Sequence, residues 1–162
     1  MRWIWLDRFE EFVPGKRAVG VKNVSLAEEH LHDHFPGFPV VPASLLIEGM
    51  AQTAGILVGH ARNFEEKVIL GKVKQAVFHQ LVRPGDQIRF IAEIEQVHEA
   101  AAMTHGEIRC GAELVGEVDL VFSHIDQNVS GLEFPAENFV FTEQFLSLLK
   151  TYTRGSAERI KL

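Results

Sequence analysis

Only one cysteine, Cys110, occurs in the 162 residues, which rules out an internal disulfide. Cations are in the minority: 16 Lys and Arg face 22 Asp and Glu, and the net charge of −6 has the wrong sign for a chain whose main partner is nucleic acid. No basic stripe is visible. The N-terminus MRWIWLDRFEEF carries acidic residues where a secretion signal needs a continuous apolar stretch. The most apolar window, Val40 to Gly59, is broken by Pro42, Glu48 and Gln52, so it suits the centre of a protein better than a bilayer. Internal repeats and low-complexity tracts are missing too. These absences point to a reducing, cytoplasmic setting, in which Asn23-Val24-Ser25 and Asn128-Val129-Ser130 are chance matches to the glycosylation pattern.

What is present, 46% apolar and 23% charged residues, is the composition of one globular domain with one core. Arg17 to Val24 alternates apolar and polar after a Pro14-Gly15 turn signal, as a strand does. Pro42 stands where a helix begins, and the proline-free, nearly all-round apolar run after it predicts a buried helix from Ala43 to His60. Its small residues, Gly49, Ala51, Ala54, Gly55 and Gly59, would let a sheet approach closely. Strands follow over Val68 to Val73, Gln75 to His79, Gln87 to His98, Ala101 to Ala112 and Leu114 to His124, with a turn at Arg83-Pro84-Gly85-Asp86 and a hairpin over Cys110 to Gly116. A buried helix followed by antiparallel strands is an α+β pattern, satisfied by a sheet wrapped round the helix.

After Ile125 the composition shifts. DQNVSGLEFPAEN reads as a loop, and TEQFLSLLKTY spaces Phe145, Leu148, Leu149 and Tyr152 at helical intervals behind a Thr142 cap. The expected division is therefore one unit over 1–125 and an extension over 126–162, whose helix must dock its apolar face on this subunit or on a neighbour. The last residues, RGSAERIKL, read as frayed.

The stretch HDHFPGFPVVPASLLIEGMAQTAG, residues 32–55, sets an imidazole and a carboxylate inside an apolar run, where an unpaired charge costs several kcal/mol. Pro36, Pro39 and Pro42 exclude a regular helix and shape a loop. His34 lies on that loop and Glu48 on the second turn of the helix, so no single regular element joins them. Gln52, one turn beyond Glu48, can orient its carboxylate. Ala43 and Ser44 occupy the first turn, whose N–H groups lack intrahelical acceptors and can polarise a carbonyl oxygen. A base, an acid and such donors beside an apolar wall suit proton abstraction next to a carbonyl with loss of a hydroxyl. On chemistry alone, a lone buried histidine is more often a satisfied core residue, and a lone helical glutamate is usually structural. His30, His32 and His34 would share a face of an extended segment, but no carboxylate or cysteine completes a metal set; His30 and His32 read as solvent-facing. Ser44 lacks the strained elbow of a nucleophile and reads as a cap.

HFPGFPVVPASLLIEGMAQTAGIL resembles the signature HFPGxPxxPGxLxxEAMAQ of the β-hydroxyacyl-[acyl carrier protein] dehydratases (FabZ/FabA-like) of type II fatty-acid synthesis. LDRF, VKNVS and AVFHQLVRPGDQI resemble further family segments in the same order, over roughly residues 4 to 124. The resemblance implies a hot-dog fold and a homodimer, with a trimer of dimers as a further possible assembly, whose site joins His34 of one copy to Glu48 of the other. It implies that His34 takes a proton from C2 of a (3R)-hydroxyacyl thioester on acyl carrier protein while Glu48 helps expel the C3 hydroxyl. The carbonyl of Val40 would fix the histidine tautomer, N–H groups near Gly37 and Ala43 would hold the thioester oxygen, and Gln52 and Phe38 would complete the substrate site, without metal or cofactor.

The chain departs from the signature at three places. Ala43 replaces glycine, Gly49 replaces alanine and is expected to compensate for Ala43, and Phe38 replaces Lys or His. The extension has no counterpart in compact members, and would cover the tunnel mouth or brace the dimer. Lys72, Lys74, Arg83 and Arg89 are candidates for receiving the acidic carrier protein, and Phe38, Phe64 and Phe78 for setting tunnel depth. Two other functions fit the same fold: a thioesterase, and an acyl-binding subunit without catalysis. Glu48 and HFPGFP, in place of the aspartate and HFIGDP of the branch that also isomerises the double bond, favour dehydration alone.

Overall fold

A computed structural model describes residues 4–125 and 133–152. Its elements are β1 (Arg8–Val13), β2 (Arg17–Asn23), α1 (His30–Asp33), α2 (Ala43–His60), β3 (Val68–Phe78), β4 (Gln87–Val97), β5 (Ala101–Cys110), β6 (Glu113–His124) and α3 (Glu143–Tyr152). The six strands form one antiparallel sheet in the order β1-β2-β4-β5-β6-β3, and α2 packs along its inner face. This is the α+β hot-dog arrangement expected.

Alternation along the strands sorts the residues. Ile88, Phe90 and Ala92 of β4, Ala102 and Ile108 of β5, and Val118, Leu120 and Phe122 of β6 are buried toward α2. Neighbouring positions face outward and pair across strands, as in Arg17–Glu93 at 2.6 Å and His105–Asp119 at 2.7 Å. The small residues of α2 let the sheet approach, because a Cβ at Gly49 would collide with the Phe90 ring. Gly49 therefore accommodates Phe90 of β4. Pro42, with ψ 140°, precedes the helix; no side chain caps it, so Ser44 does not act as a cap.

β3 corrects the reading of two short strands: Val68–Phe78 is continuous, with register shifts between Leu70 and Lys72 and between Val73 and Gln75. Those irregularities break the two-residue alternation on which a sequence reading depends. The segment before the proline loop is a helical turn, α1, so the shared face expected for His30, His32 and His34 does not form. Thr142 accepts a hydrogen bond from the Phe145 N–H at 3.2 Å, capping α3 as expected. Phe145 and Leu149 meet Ile4, Leu6, Phe9 and Ile56 round a narrow crevice, so α3 docks on its own subunit. The expected loop over 126–132, the terminal RGSAERIKL and the side chains of Leu148 and Tyr152 lie outside the described residues.

Candidate active site

The proline loop holds itself by backbone hydrogen bonds. Phe35 N–H donates to the Phe38 carbonyl at 3.1 Å, and Phe38 N–H donates back at 2.8 Å. Closing so tight a turn requires the left-handed backbone of Gly37, φ +75°, which glycine adopts at low cost. Val40 N–H donates to the His34 carbonyl at 3.0 Å, and Val41 N–H donates to Val82 at 2.9 Å, tying the loop to the segment before β4. The His34 ring stacks on Phe35, with centroids 4.1 Å apart. Its Nδ1 lies 2.9 Å from the Val40 carbonyl oxygen. A carbonyl only accepts, so Nδ1 carries the hydrogen, and in the neutral ring Nε2 is left as the basic nitrogen.

Glu48 is held from the other side. Gln52 Nε2–H donates to Glu48 Oε1 at 2.7 Å, the one-turn pairing that the spacing predicts. Gln52 is 4% exposed, and its own Oε1 accepts the Trp5 N–H at 2.8 Å. The carboxylate is thus oriented, through one buried amide, by the backbone of the N-terminal segment. Glu48 opens a cavity of about 240 Å³ whose wall includes Gln52, Gly55, Ile56, Phe122 and Phe141. Residues of β3 from Val68 to Leu70 close one side.

A profile of the FabA-like domain matches residues 3–119. The chain belongs to that family. It is 39% identical over 118 residues to the 3-hydroxyacyl-[acyl-carrier-protein] dehydratase FabZ of Clostridium acetobutylicum, covering 72% of this chain and 84% of that protein. Identity to the protein of the same name from Levilactobacillus brevis is 41% over 115 residues, covering 70% of this chain and 74% of the relative. Among solved structures, the dehydratase heterocomplex ApeI:P of Xenorhabdus doucetiae has the same fold, with a TM-score of 0.63 at 18% identity over 79% of this chain and 86% of that one. So does zebrafish thioesterase superfamily member 2, with a TM-score of 0.56 at 8% identity over 72% and 79%.

Within this FabA-like chain the expected site residues fall into two groups. His34, Gly37, Phe38 and Val40 sit together on the loop, and Glu48 joins Gln52 on α2, with the exposed Ala43 at that helix's first position. His34 is not among the residues lining the Glu48 cavity. Phe38 faces outward, 47% exposed, and lines a separate shallow depression with Gly37, Pro39 and Arg83. The Arg83 guanidinium stands 4.6 Å above the Phe38 ring centre. Of the other cations, Arg89 pairs with Glu10 at 2.9 Å, while Lys72 and Lys74 are exposed on β3.

Two expectations about the neighbourhood change. His30 is not solvent-facing; its ring meets Trp5 edge-on at 5.4 Å, and its Nε2 is buried. Among the described residues no three His, Cys, Asp or Glu side chains group as metal ligands would. Phe64 packs against Phe141, with centroids 5.0 Å apart, and does not line the Glu48 cavity. Sequence reasoning missed Trp5, Val140 and Phe141. Nothing local marks the Trp5 N–H as the partner of Gln52, because that bond spans 47 residues.

Proposed function

We propose that this chain is a hydro-lyase that converts (3R)-3-hydroxyacyl-[acyl carrier protein] to trans-2-enoyl-[acyl carrier protein] in type II fatty-acid or related lipid synthesis. The observation that carries the reading is the bond from His34 Nδ1–H to Val40, which leaves Nε2 as a base on a rigid loop. In this reading Nε2 takes the proton from C2. The electron pair moves onto the thioester oxygen, which the N–H groups near Gly37 and Ala43 stabilise. As that pair returns to form the C2=C3 bond, the C3–O bond breaks, and Glu48, protonated for this step, gives its proton to the departing hydroxyl, which leaves as water. Gln52 keeps Oε1 occupied, so Oε2 is the oxygen offered to the substrate. Phe38 forms part of the entrance.

His34 and Glu48 stand in separate surroundings within one copy, so the reading requires a second. A homodimer in which β3 edges meet supplies it. β3 lies at the end of the sheet, and its Leu70, Val73 and Val77 are 39%, 39% and 36% exposed. That apolar edge is what a partner would cover. Arg83, Lys72 and Lys74 are the cations we assign to docking the carrier protein. Residues 1–125 form the hot-dog unit in this scheme, and 126–162 are an extension added to its core. We assign a cytoplasmic setting because a chain with the single Cys110 forms no internal disulfide. Among the described residues no helix is long and apolar enough to cross a membrane.

The test is incubation of the purified protein with 3-hydroxyacyl-[acyl carrier protein], following the ultraviolet absorbance of the enoyl thioester and the release of thiol. Enoyl formation that disappears in His34→Ala supports the proposal. Thiol release without enoyl product would replace it by thioester hydrolysis, and neither product would leave an acyl-binding subunit.

A further inference from the structure

The Glu48 cavity is bounded by a segment outside the matched family domain. Val140 and Phe141 lie beyond residue 119, yet both line the same space as Glu48 and Gln52. They are firmly seated. Asn138 Nδ2–H donates to the Phe64 carbonyl at 3.0 Å, and its Oδ1 accepts the N–H groups of Val140 at 3.0 Å and Phe141 at 2.9 Å. One asparagine therefore fixes both residues to the loop that follows α2. The Phe141 ring, 6% exposed, is set between Phe64 and Phe145 with centroids 5.0 and 5.9 Å away. It lies over Gly59, where a Cβ would collide with it.

The position of this plug along α2 decides what it can do. Glu48, Gln52 and Gly55 follow one another down a single helix stripe, and Gly59 continues it. Gly55 is seven positions beyond Glu48, roughly 10 Å along the axis, and Gly59, one turn further, is already covered by the Phe141 ring. The carboxyl therefore stands at one end of the apolar space and the aromatic plug near the other. Among the described residues of the extension, Val140 and Phe141 line this cavity and none lines the depression beside Phe38. They form its far wall.

We propose that Phe141, with Val140, sets the upper length of the acyl chain this protein accepts, restricting it to medium-chain 3-hydroxyacyl thioesters. The inference rests on the dehydratase reading, because it places C3 of the substrate at Glu48 and its alkyl tail along the stripe toward Gly59. The tail displaces water from apolar walls until it reaches the ring, and each further methylene must then bend back or move a packed aromatic.

The full-length protein is assayed with hexanoyl, decanoyl and hexadecanoyl members of the 3-hydroxyacyl-[acyl carrier protein] series. The wild type is expected to favour decanoyl over hexadecanoyl by at least about tenfold in kcat/KM. Phe141→Leu should raise the hexadecanoyl value by about tenfold while leaving hexanoyl within about threefold. Val140→Phe, which fills the same end of the cavity, should lower decanoyl and spare hexanoyl. Equal rates at all three lengths in the wild type, or a parallel change at all three in both variants, would overturn the proposal. Because loss of fold lowers every rate alike, thermal unfolding of each variant is recorded beside the assay, and a variant that does not fold is replaced by binding measured on the other. Should no length be dehydrated, the dehydratase reading fails by itself; the wall is then judged by calorimetric binding of hexyl, decyl and hexadecyl thioethers of pantetheine. The same length cut-off, moved by Phe141→Leu, would sustain it, and binding indifferent to length would end it.

Discussion

At its N-terminal end α2 presents exposed Ala43 and Ser44 and no side-chain cap, whereas at its C-terminal end Gly59 lies beneath Phe141, and His60 meets Phe12 and Phe64 edge-on. Polar groups near the first end are each held by one or two directed hydrogen bonds. The second end is held by ring-to-ring packing, fixed at one point by Asn138. The contrast follows from what each end must tolerate. In the proposed reaction the first end exchanges partners as charge moves, so unsatisfied N–H groups are useful there. A closed end must exclude water, and aromatic rings with no voids do so.

The comparison is broken most severely by removing the proposed base. His34→Ala is expected to lower enoyl formation by about 10²–10⁴-fold with the melting temperature nearly unchanged, measured by absorbance and calorimetry. A large loss of stability instead would make His34 a packing residue. At the other end Gly59→Ala should act in the opposite sense, destabilising by about 1–3 kcal/mol because the added methyl meets Phe141, and blunting chain-length selection before it affects the chemistry. Denaturant melts and the acyl series together check this.

Gln52→Ala lies between the two. It frees Glu48 and strands the Trp5 N–H, so kcat should fall by about tenfold with KM little changed, and amide exchange at Trp5 should accelerate. The smallest effect belongs to the outer face of the sheet, remote from both ends. His105 is held above its ordinary value, chiefly by its hydrogen bond to Asp119. A folded-state value above the unfolded one means that this pair stabilises fully below about pH 6.5 and loses its contribution as pH rises through the folded value. His105→Gln should remove that slope from the stability profile. With both side chains part-exposed, the change is at most about 0.5 kcal/mol.

Much of this architecture is legible in the residues themselves. The Pro42 start and the proline-free run give α2 from Ala43 to His60, and the turn and hairpin signals place β4, β5 and β6. The Gln52 to Glu48 contact follows from helix geometry alone. What escapes is long-range or irregular. The bulges of β3 disguise one strand as two, and the helical turn α1 brings His30 onto Trp5 where an extended reading left it in solvent. The far wall of the cavity is invisible because Phe141 acquires its place only when Asn138 reaches the loop after α2. The loop chemistry was readable from proline and glycine positions, since those residues act on their own backbone. The proposed pairing of two copies depends on a surface no local pattern specifies.

The exposed edge of β3 has a consequence beyond assembly. A single protomer carries an eleven-residue outer strand with one unpaired edge and three exposed apolar side chains, a template that other strands can extend. Lys72 and Lys74, exposed at the middle of β3, place two positive charges on that template, and lysines on an edge strand discourage open-ended strand addition. The same strand that the proposed dimer uses thus carries charges of the kind that blunt sheet edges.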